Sequence, residues 1–308
     1  MNSSQKKALE RLCPMVRWQV SMADFSSFRT GGTIEALVET GDCSVLPGLL
    51  RWLGEERIPW QVLGGGSNIL FKSGLHEGVF LRLKGSQRDL LLREDPAPEG
   101  LHLVDVQAGI RLSRLLGWCA QQGFSGLEFM TGIPGTVGGA VAMNAGAFGG
   151  CMGDRLVALR CLNARGEAAE LPARLLSFQY RQTLFPPAYR EHCLITGATL
   201  GLRVAAGADI RERMRAVLAQ RRARQPLGMP SAGSFFKNPP GDYAGRLIER
   251  AGLKGYSHGQ AMVSPRHGNI IVNRGGASPE DILGLMRVVQ ERVRRHCGIV
   301  LEPEVRLF

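Results

Sequence analysis

The chain is poor in lysine, six of its 38 basic residues, and it has no C-x-x-C pair, no H-x-x-x-H spacing and no H-E-x-x-H spacing. Each absence removes a class of protein. Seven cysteines (Cys13, Cys43, Cys119, Cys151, Cys161, Cys193, Cys297) are odd in number and widely scattered, which argues against a disulfide framework and a zinc ribbon. They read as reduced, mostly packed thiols. The six histidines are equally dispersed, so no metal is expected. No lysine stands in a G-x-x-x-x-G-K-[ST] pattern, which removes the P-loop. Internal repeats and low-complexity tracts are missing as well, so the chain is neither an array nor a disordered segment. The first 20 residues carry charges throughout and lack an apolar run, unlike a secretory signal, and the expected location is the cytoplasm.

Charge is also missing locally. Residues 129–153 contain no charged side chain, yet eight glycines, Pro134 and Asn144 interrupt them. A membrane span needs roughly 20 mainly apolar residues able to stay helical, and this stretch is broken at Gly132, Pro134, Gly135, Gly138 and Gly139. No membrane insertion is expected. Glycines among small residues instead let several backbone N–H groups face one concavity, the usual way to hold an anion without side-chain charge. The same device recurs at Gly64-Gly65-Gly66-Ser67-Asn68, where an apolar strand pattern at 60–63 runs into three glycines. This is no dinucleotide fingerprint, because G-x-G-x-x-G from Gly64 needs glycine where Ile69 stands. Two glycine loops about 70 residues apart, in neither standard nucleotide-binding format, point to a less common phosphate-binding fold.

What is abundant is arginine. The net charge of +11 makes nucleic acid the first binding alternative. The densest cluster (Arg211, Arg213, Arg215, Arg221, Arg222, Arg224) lies on one helical stretch without interleaved aromatics, and reads as a solvated helix face. No nucleic-acid partner is expected; an anionic substrate gains from the same field.

The 308 residues suffice for two or three domains. Strand patterns at 36–39, 60–63 and 79–83 surround a helical stretch at 44–55. A second group at 102–107, 156–163 and 194–202 accompanies a helix at 112–122 closed by Gly123. Beyond Ala205 the pattern changes to helices at 210–224, 243–251 and 279–297, with a strand at 269–273. Ser278, Pro279 and Asp281 form a helix start. The division expected is 1–86, 87–204 and 205–308; the residues before Phe25 read equally well as an amphipathic helix or as a disordered segment.

In the last of these, Ser231-Ala232-Gly233-Ser234-Phe235-Phe236-Lys237-Asn238-Pro239 concentrates reactive groups. A hydroxyl between glycine and two aromatics, with an ammonium three residues on, suits proton transfer beside a bound phosphate; a turn closed by Pro239 and Pro240 is the competing reading. Ser234 lacks a G-x-S-x-G elbow, which disfavours an acyl-transfer nucleophile.

Seven segments taken together resemble the UDP-N-acetylenolpyruvoylglucosamine reductase family, in its order. They are Phe28-Arg29-Thr30-Gly31-Gly32, Val62-Leu63-Gly64-Gly65-Gly66-Ser67-Asn68, Gly132-Ile133-Pro134-Gly135-Thr136-Val137-Gly138-Gly139-Ala140, Asn144-Ala145-Gly146, Tyr180-Arg181, the Ser231 to Pro239 segment, and Glu304-Val305-Arg306. The resemblance implies an α+β architecture: a two-part FAD-binding region of the vanillyl-alcohol-oxidase (PCMH) type, then a C-terminal α+β substrate domain. It implies FAD and NADPH as cofactors, a UDP-sugar substrate, and a monomer of the family's shorter class, which lacks the loop carrying a tyrosine lid. FAD would lie against Gly64, Gly65, Gly66, Ser67, Asn68, Gly132, Ile133, Pro134, Gly135, Thr136, Gly139 and Ala140. The catalytic residues would be Arg181, Ser234 and Glu304: Ser234 as proton donor, Arg181 paired with the substrate carboxylate, and Glu304 acting protonated or through hydrogen bonding, since an ionised carboxylate repels an enolate. Tyr180, Lys237 and Asn238 would bind substrate. Thr183 stands where the family has serine, and Thr30 where an aliphatic residue is commoner. A flavin oxidase of the same fold would also explain the glycine loops, though not the Ser234 segment together with Glu304.

Overall fold

Helices form where the apolar period and the end signals coincide. In chain order they are α1 (Ser3–Leu12), α2 (Leu46–Glu55), α3 (Leu112–Gln122), α4 (Val137–Ala142), α5 (Gly207–Arg224), α6 (Ala244–Arg250) and α7 (Pro279–Cys297) in a computed structural model describing residues 1–85, 90–94, 100–190, 192–226 and 228–308. α3 ends at Gly123 with φ +77°, and α7 starts on the Ser278–Asp281 capping box and ends at Gly298 with φ +70°, as the sequence indicates. Of the two readings of the N-terminal residues, the helix is the one present, as α1. Asn2 Oδ1 accepts the Gln5 N–H and Gln5 Oε1 accepts the Asn2 N–H, and Leu9 is driven into the core. α2 begins two residues later than the pattern suggests, because Asp42 caps a 3₁₀ turn at Cys43–Val45. α4 is the element that composition conceals, a short helix inside the uncharged glycine stretch.

Two units are present. The first comprises Met1–Trp18, Ala36–Gly65 and Glu77–Ala219, the second Gln19–Glu35, Gly66–His76 and Gln220–Phe308. One sheet runs in the order Arg17–Ser21, Thr33–Thr40, Leu75–Leu83, Trp60–Val62, its last pair parallel. Leu46, Leu49, Leu50 and Leu53 of α2 cover it with Leu9, a stripe at helical spacing.

The larger sheet of the first unit is antiparallel, in the order Ala168–Pro172, Leu156–Asn163, Cys193–Val204, His102–Gln107, Leu90–Leu92. α3 and α4 pack on its buried face with Val104, Val106, Leu159, Ala198 and Leu200. Leu156–Asn163 and His102–Gln107 match the sequence reading, while Cys193–Val204 runs beyond it at both ends. The thiols are all free, three of them buried and four half-buried. Burial, with the Glu128 carboxylate nearby, pushes the Cys119 thiol up to about 12. α5 buries only Ile210 and its arginines are largely exposed, but the expected solvated face is interrupted where Arg213 pairs with Glu128 at 2.9 Å and Arg211 Nη1 donates to the Ala120 carbonyl at 3.3 Å.

In the second unit a four-stranded antiparallel sheet, Ser231–Ser234, Ile270–Asn273, Ala261–Val263, Ser257–His258, packs beneath α6 and α7. Phe28, Phe235, Phe236, Leu285, Val289 and Val293 fill the space between them. A parallel pair, Ile69–Leu70 with Arg306–Leu307, ties the C-terminal strand to this unit. Among the described residues no helix is long and apolar enough to cross a membrane.

Candidate active site

The first unit builds an anion cradle from backbone alone. The strand Trp60–Val62 delivers the chain to Gly64 and Gly65, which pack against the second glycine loop. A Cβ on Gly64 would stand 3.2 Å from Thr136 Oγ1, and one on Gly65 2.6 Å from Gly135 Cα. The second loop is held from below: the Leu112 N–H donates to the Gly135 carbonyl, the Val137 N–H to Ile110 and the Gly138 N–H to Ala108. Thr136 caps α4, with the Gly139 N–H donating to its Oγ1 at 3.4 Å.

Where the amides point decides what the loops can bind. The N–H groups of Ile133, Gly139 and Ala140 are used inside the chain, on Met130, Thr136 Oγ1 and the Thr136 carbonyl. Those of Gly64, Gly65, Gly132, Gly135 and Thr136 donate to no partner among the described residues. A cluster of amide donors, glycine surfaces that admit close approach and no charged side chain in residues 129–153 fits a diphosphate-bearing cofactor.

Arg181 sits on the rim of the same unit. Ser177–Gln179 and Gln182–Leu184 form a hairpin whose two turn residues are Tyr180 and Arg181. Arg181 takes φ +60°, and its Nη1 donates to the Gly146 carbonyl at 2.8 Å. Its guanidinium lies 5.2 Å from the ring centroid of the exposed Tyr180. Thr183, noted above as a departure, is buried with its hydroxyl on the Val141 carbonyl at 2.5 Å.

The second unit joins Ser234 to Glu304. Ser234 ends its strand, just after Gly233 at φ +73°, and Phe235 and Phe236 then plunge into the core. The Phe235 carbonyl accepts the Glu304 N–H at 2.8 Å and the Val305 N–H at 3.4 Å, and the Lys237 N–H donates to the Glu302 carbonyl. The segment after Ser234 therefore runs alongside the one bearing Glu304, whose Oε2 is buried. Asn68 holds this arrangement from the other side. Its Nδ2 donates to the Glu304 carbonyl at 3.1 Å, and its own carbonyl accepts the Arg306 N–H. Its side-chain Nδ2 thus ties the first glycine loop to the Glu304 segment.

The proposed substrate residues have partners of their own. Lys237 Nζ forms a surface ion pair with Glu302 at 3.2 Å, and Asn238 Oδ1 accepts the Ala244 N–H at 3.0 Å at the start of α6. Asn269 escaped the sequence reading, which saw only a strand there. It is buried, and its carboxamide takes both polar groups of Phe236: Oδ1 accepts the N–H at 2.9 Å and Nδ2 donates to the carbonyl at 2.7 Å. The Asn269 N–H donates to His267 Nδ1 at 3.2 Å, and burial, with Lys254 nearby, holds that imidazole below its ordinary value.

Residues 34–172 match the family model described as an FAD binding domain, the class of protein that the amide cradle defines: this is an FAD-dependent oxidoreductase. Residues 225–308 match the model of the UDP-N-acetylenolpyruvoylglucosamine reductase C-terminal domain. Proteins carrying that reductase name include one from Syntrophobacter fumaroxidans, 40 % identical over 297 residues (95 % of this chain, 83 % of the other), and one from Geobacter sulfurreducens, 41 % identical over 287 residues (93 % and 92 %). The crystal structure of the Thermus caldophilus reductase superposes with a TM-score of 0.78 at 35 % identity, covering 96 % of this chain and all of that one. The chain belongs to the UDP-N-acetylenolpyruvoylglucosamine reductase family.

Proposed function

We infer that this chain reduces the enolpyruvyl group of UDP-N-acetylglucosamine enolpyruvate to UDP-N-acetylmuramate at the expense of NADPH, as a cytoplasmic monomer. The observation that carries this reading is the pairing of the Glu304 backbone with Phe235, which puts Ser234 and Glu304 on neighbouring segments. When bound, FAD supplies the hydride-transfer chemistry that no amino-acid side chain provides. Residues 1–86 and 87–204 hold it, through the amides of Gly64, Gly65, Gly132, Gly135 and Thr136, while residues 205–308 receive the sugar nucleotide.

Around that cofactor the chain's own groups have separate tasks. Ser234 gives a proton from its Oγ to the carbon next to the one that accepts hydride. Arg181, permanently charged and planar, forks onto the substrate carboxylate as negative charge spreads toward it. Glu304, walled off from solvent at Oε2, acts through a hydrogen bond or by replacing the proton that Ser234 gives up. Tyr180, Lys237 and Asn238 bind the nucleotide portion, Lys237 by exchanging its exposed carboxylate partner for diphosphate.

The test is spectroscopic. With oxygen removed, NADPH should bleach the flavin band of the purified protein, and UDP-N-acetylglucosamine enolpyruvate should restore it. Ser234→Ala should leave the bleaching nearly intact and slow the restoration by about 10²–10⁴. Equal loss in both steps removes Ser234 from the donor role, and restoration by air alone points to an oxidase.

A further inference from the structure

The Asn144-Ala145-Gly146 segment performs none of the chemistry above, yet Asn144 is 8 % exposed and holds φ +38°. Side chains rarely adopt that region, and asparagine does so more readily than most. Its carboxamide spans two separate stretches of backbone. Nδ2 donates to the Gln179 carbonyl at 3.1 Å, and Oδ1 accepts the Gly153 N–H at 2.9 Å. Gln179 is the last strand residue before the Tyr180-Arg181 turn, paired in register with Gln182 on the far side. Two residues beyond Asn144, the Gly146 carbonyl receives Arg181 Nη1. One short segment therefore grips the arginine hairpin at its backbone and at its guanidinium.

We propose that Asn144 is a positioning residue for Arg181, fixing the Tyr180-Arg181 turn so that the guanidinium is aimed before substrate arrives. The inference rests on the reading of Arg181 as the carboxylate partner. Arg181 is itself at φ +60°, a conformation that persists only where its surroundings impose it. The Gln179 carbonyl lies directly before this turn, so anchoring it restricts the rotation that would relax Arg181. An arginine held in one geometry loses less entropy when it engages a carboxylate, and the productive geometry is ready at each turnover. The chemistry also explains the residue type. The site needs one donor and one acceptor carried by the same carbon, which a carboxamide has; aspartate would set an oxygen against the Gln179 carbonyl, and alanine would lose both bonds and add backbone strain.

The test is a double-mutant cycle between Asn144→Asp and Arg181→Ala, with the two half-reactions followed separately under anaerobic conditions. Asn144→Asp should retain FAD and be reduced by NADPH within about twofold of the parent, while its reoxidation by the sugar nucleotide slows about 10- to 100-fold, the order expected when a catalytic group is misplaced by an ångström. In the Arg181→Ala background the same change should cost less than about twofold. An equal loss in both backgrounds overturns the proposal, because Asn144 would then act without Arg181. If Arg181→Ala leaves reoxidation unchanged, the assignment of Arg181 itself fails, a distinct outcome. Asn144→Gly removes the same bonds without strain at φ +38°, and is read the same way if the aspartate variant loses FAD; loss of FAD from both overturns the proposal in favour of a role in the fold.

Discussion

Gly65 packs directly on Gly135: a Cβ added to Gly65 would lie 2.6 Å from Gly135 Cα, 3.3 Å from its carbonyl carbon and 3.4 Å from its nitrogen. The neighbour is backbone and has no flexible end to move aside. Gly65→Ala must force the two loops apart and turn their amides out of alignment. Overpacking of this kind costs about 1–3 kcal/mol. Expressed as affinity, FAD binding should weaken roughly 10-fold or more, measured by titrating the apoprotein and following flavin fluorescence. Unchanged affinity would mean that the loops separate without disturbing the cradle.

Asn269 clamps Phe236 by both of its polar groups in a buried setting. Asn269→Ala leaves the Phe236 N–H and carbonyl without these partners, which should lower stability by about 3 kcal/mol, read from denaturant unfolding. The segment leading out of Ser234 loses its anchor at the same time. Reoxidation by the sugar nucleotide should therefore slow more than reduction by NADPH, a split visible in the two half-reactions.

Glu128 gives the chain an acid limit. Burial by itself would raise its carboxyl, but the Gly126 N–H at 2.8 Å, the Ser125 hydroxyl at 2.9 Å and the Arg213 guanidinium at 2.9 Å hold it below the usual value of 4.5. A carboxylate whose folded pKa is depressed stabilises the fold above its unfolded pKa, and the contribution disappears as pH falls through the folded one. Thermal stability should therefore drop as pH is lowered below about 4.5. Glu128→Gln should flatten that slope and cost about 1–2 kcal/mol at pH 7. Thr131 Oγ1 donates to the Glu128 carbonyl at 2.7 Å just ahead of the second glycine loop, so FAD retention at pH 4 checks whether the acid effect reaches the cofactor.

Local rules were enough for much of this chain. The stop of α3 at Gly123, the start of α7 at Ser278 and the strands Leu156–Asn163 and His102–Gln107 follow from patterns a few residues long, because helix caps and strand alternation are local. The ordered motifs carry the family, and glycine loops without charge point to an anion held by backbone.

Other features exist only because distant segments meet. Ser231–Ser234 is a strand because Ile270–Asn273 lies beside it; alone, the segment has the composition of a turn. Seen by itself, Asn269 is only a strand residue, and it clamps Phe236 because the chain returns 33 positions away. The Asn68 side chain reaches the Glu304 carbonyl across 236 positions, a contact that its neighbours in sequence do not announce. α4 hides in a glycine-rich stretch, where propensity opposes a helix and packing with the Thr136 cap supplies one. Composition and spacing set which groups this protein has and that two uncharged glycine loops can present backbone amides. Tertiary structure decided which amides stay available and which side chains become scaffolding, since hydrogen-bond partners are chosen by proximity in space, which spacing along the chain does not encode.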